Sequence, residues 1–144
     1  MIENTNSKII SKIIKILKDS QKIMNLLITG CCGHIGSYLV ENVHKIKGIK
    51  KTFIVDSLES NTFYSLFNSK KKNNLTFLIK DLKDPKSLNE VQGVDYVIHL
   101  ASMTNAEKSF GKKNRMYENN IQCLKTVINF CKKKKAKLIH ISST

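Results

Sequence analysis

Short apolar runs alternate along this chain with segments whose apolar residues return every three or four positions. The runs are Leu26-Leu27-Ile28-Thr29, Thr52-Phe53-Ile54-Val55-Asp56, Leu75 to Lys80, Val94 to Leu100 and Lys137 to Ser142. Each reads as a strand, the fourth apolar enough to be buried on both faces. After the first, Ile35, Leu39, Val43 and Ile46 recur at spacings of four, four and three, one face of an amphipathic helix. Asp84-Pro85 starts a short helix, because Asp caps a helix N-terminus and Pro suits its first position. That helix runs to about Gln92, where Gly93 ends it. Tyr117 to Lys133 is the last helix, with Ile121, Leu124, Val127, Ile128 and Cys131 on one side. Its lysine-rich end, Lys132 to Lys135, opposes the helix dipole. Ser57 to Asn74 is a polar connection with helical potential around Tyr64, Leu66 and Phe67, and Ala101 to Arg115 is a longer loop.

Strands alternating with helices predict an α/β fold, a doubly wound parallel sheet with helices on both faces. Right-handed crossovers and a ligand-binding first turn favour the Rossmann-type strand order 3-2-1-4-5. The ligand crevice then lies over the carboxyl ends of strands one and four. Residues 1–23 read as a separate N-terminal extension, and 24–144 as the domain. In the extension Ile9, Ile13, Ile16 and Leu17 fall at helical spacing between lysines. This basic amphipathic helix is expected to pack loosely or be partly disordered, with a membrane-surface or partner-binding helix as the alternative.

The candidate chemistry sits where the first strand meets its helix. Gly30-Cys31-Cys32-Gly33-His34-Ile35-Gly36 has the spacing Gly-x-x-Gly-x-x-Gly. Gly30 permits a tight turn, Gly33 lets backbone approach a pyrophosphate, and Gly36 lets the helix pack close to its strand. The unpaired N–H groups of the first helical turn then face the phosphates. Glycines alone would equally suit a plain connecting loop. Asp56 strengthens the reading: it closes the second strand 56 − 36 = 20 residues beyond the last glycine, where a carboxylate accepts hydrogen bonds from ribose hydroxyls.

Composition narrows the classes further. At 144 residues the chain is long enough for one domain with a proper core. It has no long apolar run, and lysines at 8, 12, 15, 18 and 22 break up the early apolar segment; neither a transmembrane helix nor a signal peptide is expected. The four cysteines, 31, 32, 123 and 131, show no paired metal-ligand spacing. No metal is expected, and reduced thiols in a cytoplasmic setting are the simpler reading. The net charge of +14 rests almost wholly on lysine, with Arg115 the sole arginine. Without a basic helix or aromatic-basic ribbon, specific nucleic-acid binding is not expected. A positive field would still draw in an anionic cofactor or nucleotide-linked substrate.

Together these motifs resemble the extended short-chain dehydrogenase/reductase family, in particular its NAD-dependent nucleotide-sugar epimerases and dehydratases. Thr29-Gly30-x-x-Gly33-x-Ile35-Gly36 is similar to the family's cofactor loop, with His34 where Phe or Tyr is more usual. Asp81-Leu82 is similar to the pair that meets the adenine. His99-Leu100-Ala101-Ser102 resembles the strand-four motif whose backbone lines the diphosphate and nicotinamide ribose. Ser109-Phe110 resembles a substrate-side Ser-apolar pair, without the usual following proline. Asn120-Ile121 resembles the Asn-Val pair of the next helix motif, with Leu124 in place of threonine. Ile139-His140-Ile141-Ser142-Ser143-Thr144 resembles the fifth strand and its hydroxyl-bearing end. The resemblance thus implies NAD bound by Gly30, Gly33, His34, Ile35, Gly36, Asp56, Asp81, Leu82, Leu100, Ala101, Ser102, Asn120 and Ser142, with Ser109 toward substrate and Thr144 catalytic. His34, His44, His99 and His140 are scattered, and read as packing or surface residues.

The resemblance also implies a Tyr-x-x-x-Lys pair beyond the fifth strand, its tyrosine the acid/base. Here the residues four after Tyr38, Tyr64, Tyr96 and Tyr117 are Asn42, Asn68, Leu100 and Ile121. The chain therefore reads as the cofactor-binding half of an enzyme that epimerises, dehydrates or reduces a nucleotide sugar, cut off after strand five. Such a half is expected to be inactive alone, with a possible homodimer through the 117–133 helix. A half-protein needing a separate partner chain, or a module that senses NAD without catalysis, are the alternatives.

Overall fold

The central strand, β1 (Met24–Thr29), is hydrogen-bonded on both sides by parallel neighbours. In the computed structural model, which describes residues 2–20, 22–59, 74–103 and 113–141, β1 lies between β2 (Ile49–Asp56) and β4 (Tyr96–His99). β3 (Leu75–Ile79) and β5 (Lys137–His140) flank these, so the order is β3-β2-β1-β4-β5, all pairings parallel. Leu26 pairs with Thr52 on one side and Tyr96 on the other, and Thr29 with Val55 and His99. The sheet order is the expected one.

The period-two alternation of strand side chains divides the core into two layers. Leu26, Ile28, Ile54 and Ile98 face one way, against α1 (Ile2–Lys18) and α2 (His34–Asn42). Leu27, Phe53, Val55 and Val97 face the other way, against residues 82–94 and α3 (Lys113–Lys134). The crossover from β1 to β2 moves one way along the sheet and that from β4 to β5 the opposite way. With right-handed connections, α2 and α3 must therefore fall on opposite faces.

Three expectations change. The extension does not pack loosely: Ile10, Ile13 and Leu17 are buried, Leu17 completely. Ile13 and Leu17 join the same cluster as Met24, Leu39 and Val43. Spacings of three and four place them on one helix face, with Ile9 and Ile14 packed partly buried beside them. Ile16 lies off that face and is exposed.

The segment 84–92 is a chain of turns rather than a helix. Ser87 N–H bonds Asp84 O, Asn89 N–H bonds Lys86 O, and Val91 N–H bonds Leu88 O, each three residues back. Asp84 does act as a cap, its Oδ1 accepting the Lys86 N–H at 2.9 Å. The segment is too short to propagate a helix by itself, and Leu88 and Val91 are instead anchored in the core layer. Finally, α3 begins one turn earlier than the pattern indicates, and α2 tightens at Val43–Lys45 into a 3₁₀ turn.

Candidate functional site

Just past their strand ends the chains leaving β1 and β4 still touch, Gly30 against Ala101. Gly30 N–H still bonds Val55 O at 2.9 Å, and Leu100 N–H bonds Thr29 O at 3.1 Å. There the connection from β1 turns toward β2, while β4 lies on the opposite side. This is the switch point at which open α/β sheets form their ligand crevice. A cleft of about 590 Å³ opens here.

Two glycines shape its floor. Gly30 has φ +70, and a β-carbon on it would lie 2.6 Å from Ala101 N. Only a glycine lets the turn pass so close to the end of β4. A β-carbon on Gly36 would lie 2.1 Å from the Gly30 carbonyl oxygen, so α2 packs against its own strand through the missing side chain. Gly33 is the N-cap of α2, and no side chain caps that end. No acidic residue stands in the first turn either. The orphan N–H groups and the positive helix end are thus left to an anion in the cleft.

Asp56 forms the wall at the end of β2. Its Oδ2 accepts the Cys32 N–H at 2.9 Å, and Oδ1 accepts the Leu58 N–H at 2.9 Å. The second bond holds Leu58 at φ +61. A carboxylate has about four acceptor sites; the two N–H groups and the Cys32 thiol take three, so one remains for a ligand hydroxyl. The Cys32 thiol hydrogen-bonds Asp56, and the Cys31 thiol bonds Cys32. Burial, and then the Asp56 charge, push Cys32 up to about 11. Burial pushes Cys31 higher still. Both thiols stay protonated at neutral pH.

The rim carries charges of both signs. Lys83 Nζ lies 3.0 Å from Glu59 Oε1 and 3.3 Å from Asp81 Oδ2. The Glu59 bond first, then Asp81, raises the Lys83 pKa. These exposed pairs add little stability, but they cover the Asp81-Leu82 side of the cleft.

Of the residues expected to hold a cofactor, Gly30, Gly33, His34, Asp56, Asp81, Leu82, Leu100, Ala101 and Ser102 line this one cleft. Ile35 and Gly36 lie behind it on α2. Asn120 has a different place. Its Oδ1 accepts the Met103 N–H at 2.8 Å and its Nδ2 donates to Met103 O at 3.3 Å, so it clamps the backbone after β4. Its neighbour Asn119 lines the cleft instead. Ser109, Ser142 and Thr144 lie outside the described residues. Ser57, Glu59, Lys80, Lys83, Met103 and Cys123 also line the cleft, and the sequence reading missed them. Lys80 and Lys83 bracket Asp81-Leu82, a signal that was available.

A five-stranded parallel sheet packed on both faces, with a glycine turn leading from its central strand into α2, defines a Rossmann-type α/β fold. The chain belongs to the NAD dependent epimerase/dehydratase family, whose model matches residues 26–144. It is 31% identical over 131 residues to a dTDP-D-glucose 4,6-dehydratase of Dictyostelium discoideum, covering 88% of this chain and 30% of that protein. Among solved structures it is similar to a UDP-N-acetylglucosamine 4-epimerase of Methanobrevibacter ruminantium M1 in complex with UDP-N-acetylmuramic acid. There the identity is 32% and the TM-score 0.70, over 86% of this chain and 39% of the other. A dTDP-glucose 4,6-dehydratase of Streptomyces venezuelae with NAD and TYD bound shares the fold. Its identity is 23% and TM-score 0.69, over 84% of this chain and 42% of that one. The chain therefore spans between 30% and 42% of the length of these three proteins.

Proposed function

We propose that this chain supplies the NAD-binding half of a nucleotide-sugar epimerase or dehydratase. The observation that carries the reading is the pairing of the α2 N-terminus with Asp56 across a single cleft. The cleft suits the cofactor. The Gly30 to Gly36 turn would hold the diphosphate against the first-turn N–H groups of α2. The remaining acceptor site of Asp56 would take an adenosine ribose hydroxyl, and Asp81 and Leu82 would border the adenine. Ala101 and Ser102, held close to Gly30, would line the path toward the nicotinamide end.

Bound NAD supplies a transient hydride acceptor for a sugar nucleotide. The chain's own part is to bind and orient it and to exclude water with the apolar ends of β1 and β4. Proton exchange at the sugar belongs in this family to a Tyr-x-x-x-Lys pair, which the 144 residues do not contain. Ser109 toward the substrate, Ser142 toward the cofactor and a hydroxyl at Thr144 toward the reacting oxygen complete the proposed roles. A reducing, cytoplasmic setting suits the four reduced cysteines.

Calorimetric titration with NAD and with NADP tests the reading. Binding of NAD in preference to NADP is expected, because Asp56 repels a 2′-phosphate. Incubation with NAD and a panel of UDP-, GDP-, CDP- and dTDP-sugars is expected to yield no product. Failure to bind either cofactor would remove the proposal, and so would tighter binding of NADP.

A further inference from the structure

We propose that Cys31, Cys32 and Asp56 form a binding site for one thiophilic divalent cation, of the zinc or cadmium type, beneath the cofactor turn. Their two sulfur atoms and a carboxylate oxygen all lie within 4.8 Å of one another. An equilateral triangle of that edge has its centre 4.8/√3, about 2.8 Å, from each corner. That exceeds a Zn–S bond of ~2.3 Å by a few tenths of an ångström, so small side-chain rotations close the gap. Three protein donors leave the fourth tetrahedral position for water. Two thiolates with one carboxylate suit zinc or cadmium and disfavour magnesium or calcium, which take oxygen shells.

The cluster is also held in place. Cys32 N–H is tied to Asp56 Oδ2, and Gly30 and Cys31 N–H both reach Val55 O. Adjacent cysteines in one turn therefore present their sulfurs to the same strand end. Both cysteines are buried, while Asp56 opens to the cleft, which provides the entry path. Binding replaces the thiol–thiol–carboxylate hydrogen bonds by three metal bonds, releasing the two thiol protons to solvent. Because Asp56 is shared, a bound cation and a dinucleotide exclude each other; that second statement rests on the function proposed above.

The test titrates Cd²⁺ and Zn²⁺ into the reduced protein without cofactor. It follows sulfur-to-cadmium charge-transfer absorbance, and stoichiometry by native mass spectrometry. One cation per chain is expected. Cys32→Ser should weaken it by more than the roughly 10–100-fold that loss of an outer partner costs, and Asp56→Asn should also weaken it. Cys123→Ser/Cys131→Ser together should leave it unchanged. Absence of the absorbance band in the unaltered protein overturns the site. So does a band that survives Cys32→Ser or vanishes in the Cys123/Cys131 variant. Should Cys31→Ser fail to fold, the Cys32 and Asp56 variants still decide. Repeating the titration in saturating NAD should weaken cadmium binding; unchanged binding would overturn the exclusion while the cofactor-free titration stands on its own.

Discussion

Thr29 Oγ1 lies 2.7 Å from His99 Nδ1 across the two central strands, and both residues are buried. His140 stacks on the same imidazole with ring centroids 5.4 Å apart. Burial first, and the neighbouring His140 second, lower His99 to about 4. An unfolded histidine takes its proton near pH 6.5, so below that pH the unfolded chain binds the extra proton and the folded one does not. The stability from a neutral His99 is complete above about pH 6.5 and is lost as pH falls toward 4, on the order of 3 kcal/mol in all. His99→Asn keeps a polar group beside Thr29 without titrating. Melting temperatures followed from pH 8 to 5 should fall less steeply in this variant than in the parent.

Gly36→Ala is expected to damage fold and site together. Its β-carbon would meet the Gly30 carbonyl oxygen at 2.1 Å, and backbone must move. Overpacking of this kind costs about 1–3 kcal/mol, occasionally more. Gly33→Ala differs, with its β-carbon 3.3 Å from the same oxygen and the exposed cleft beyond. Thermal melting and NAD calorimetry should separate the two: position 36 loses stability and binding, position 33 mainly binding.

Asp56→Ala should weaken NAD roughly ten- to a hundredfold, since hydrogen bonds to a charged group are worth about 1.5–3 kcal/mol. It should also lower stability, because the Cys32 and Leu58 N–H groups lose their acceptor. Asp56→Asn retains one carbonyl acceptor and should lie between the two. A variant with full stability and full NAD affinity would show that this carboxylate serves neither partner.

Leu17→Ala is expected to cost about 2–5 kcal/mol, the usual range for a fully buried leucine. Deleting residues 1–23 should lower the melting temperature and solubility, because Leu39 and Val43 lose their cover. Equal melting temperatures with and without the segment would show that α1 does not contribute to the core.

Strands and their order were legible because parallel strands buried on two faces leave near-continuous apolar runs, and Gly30, Gly36 and Asp56 occupy positions few other residues satisfy. The turns at 84–92 were not, because Asp84-Pro85 marks a helix start without saying whether the chain propagates one. Packing of Leu88 and Val91 made that choice. The role of α1 was hidden because a lysine-flanked apolar face reads the same whether it covers a core or meets a membrane surface. Asn119 and Asn120 differ only in rotation about α3, which sequence cannot phase to one residue. The approach of Cys31 and Cys32 to Asp56 was invisible for a simpler reason: β2 must fold beside β1 before they meet.

The parallel ladder also sets an order of assembly. Leu26 finds its partner Thr52 after 52 − 26 = 26 residues, whereas Thr29 and His99 are 70 apart. Closing the longer loop costs about 0.9 kcal/mol more by its logarithmic length dependence. β1 and β2 should therefore pair first, with β4 docking late. On a ribosome adding about 5–20 residues per second, the β4-facing edge of β1 stays unpaired for several seconds. The cleft, which lies where β1 meets β4 and is closed by Asn119 and Cys123 of α3, thus takes shape only well after β1 and β2 have paired, and any ligand that captures it acts after that first folding decision rather than before it.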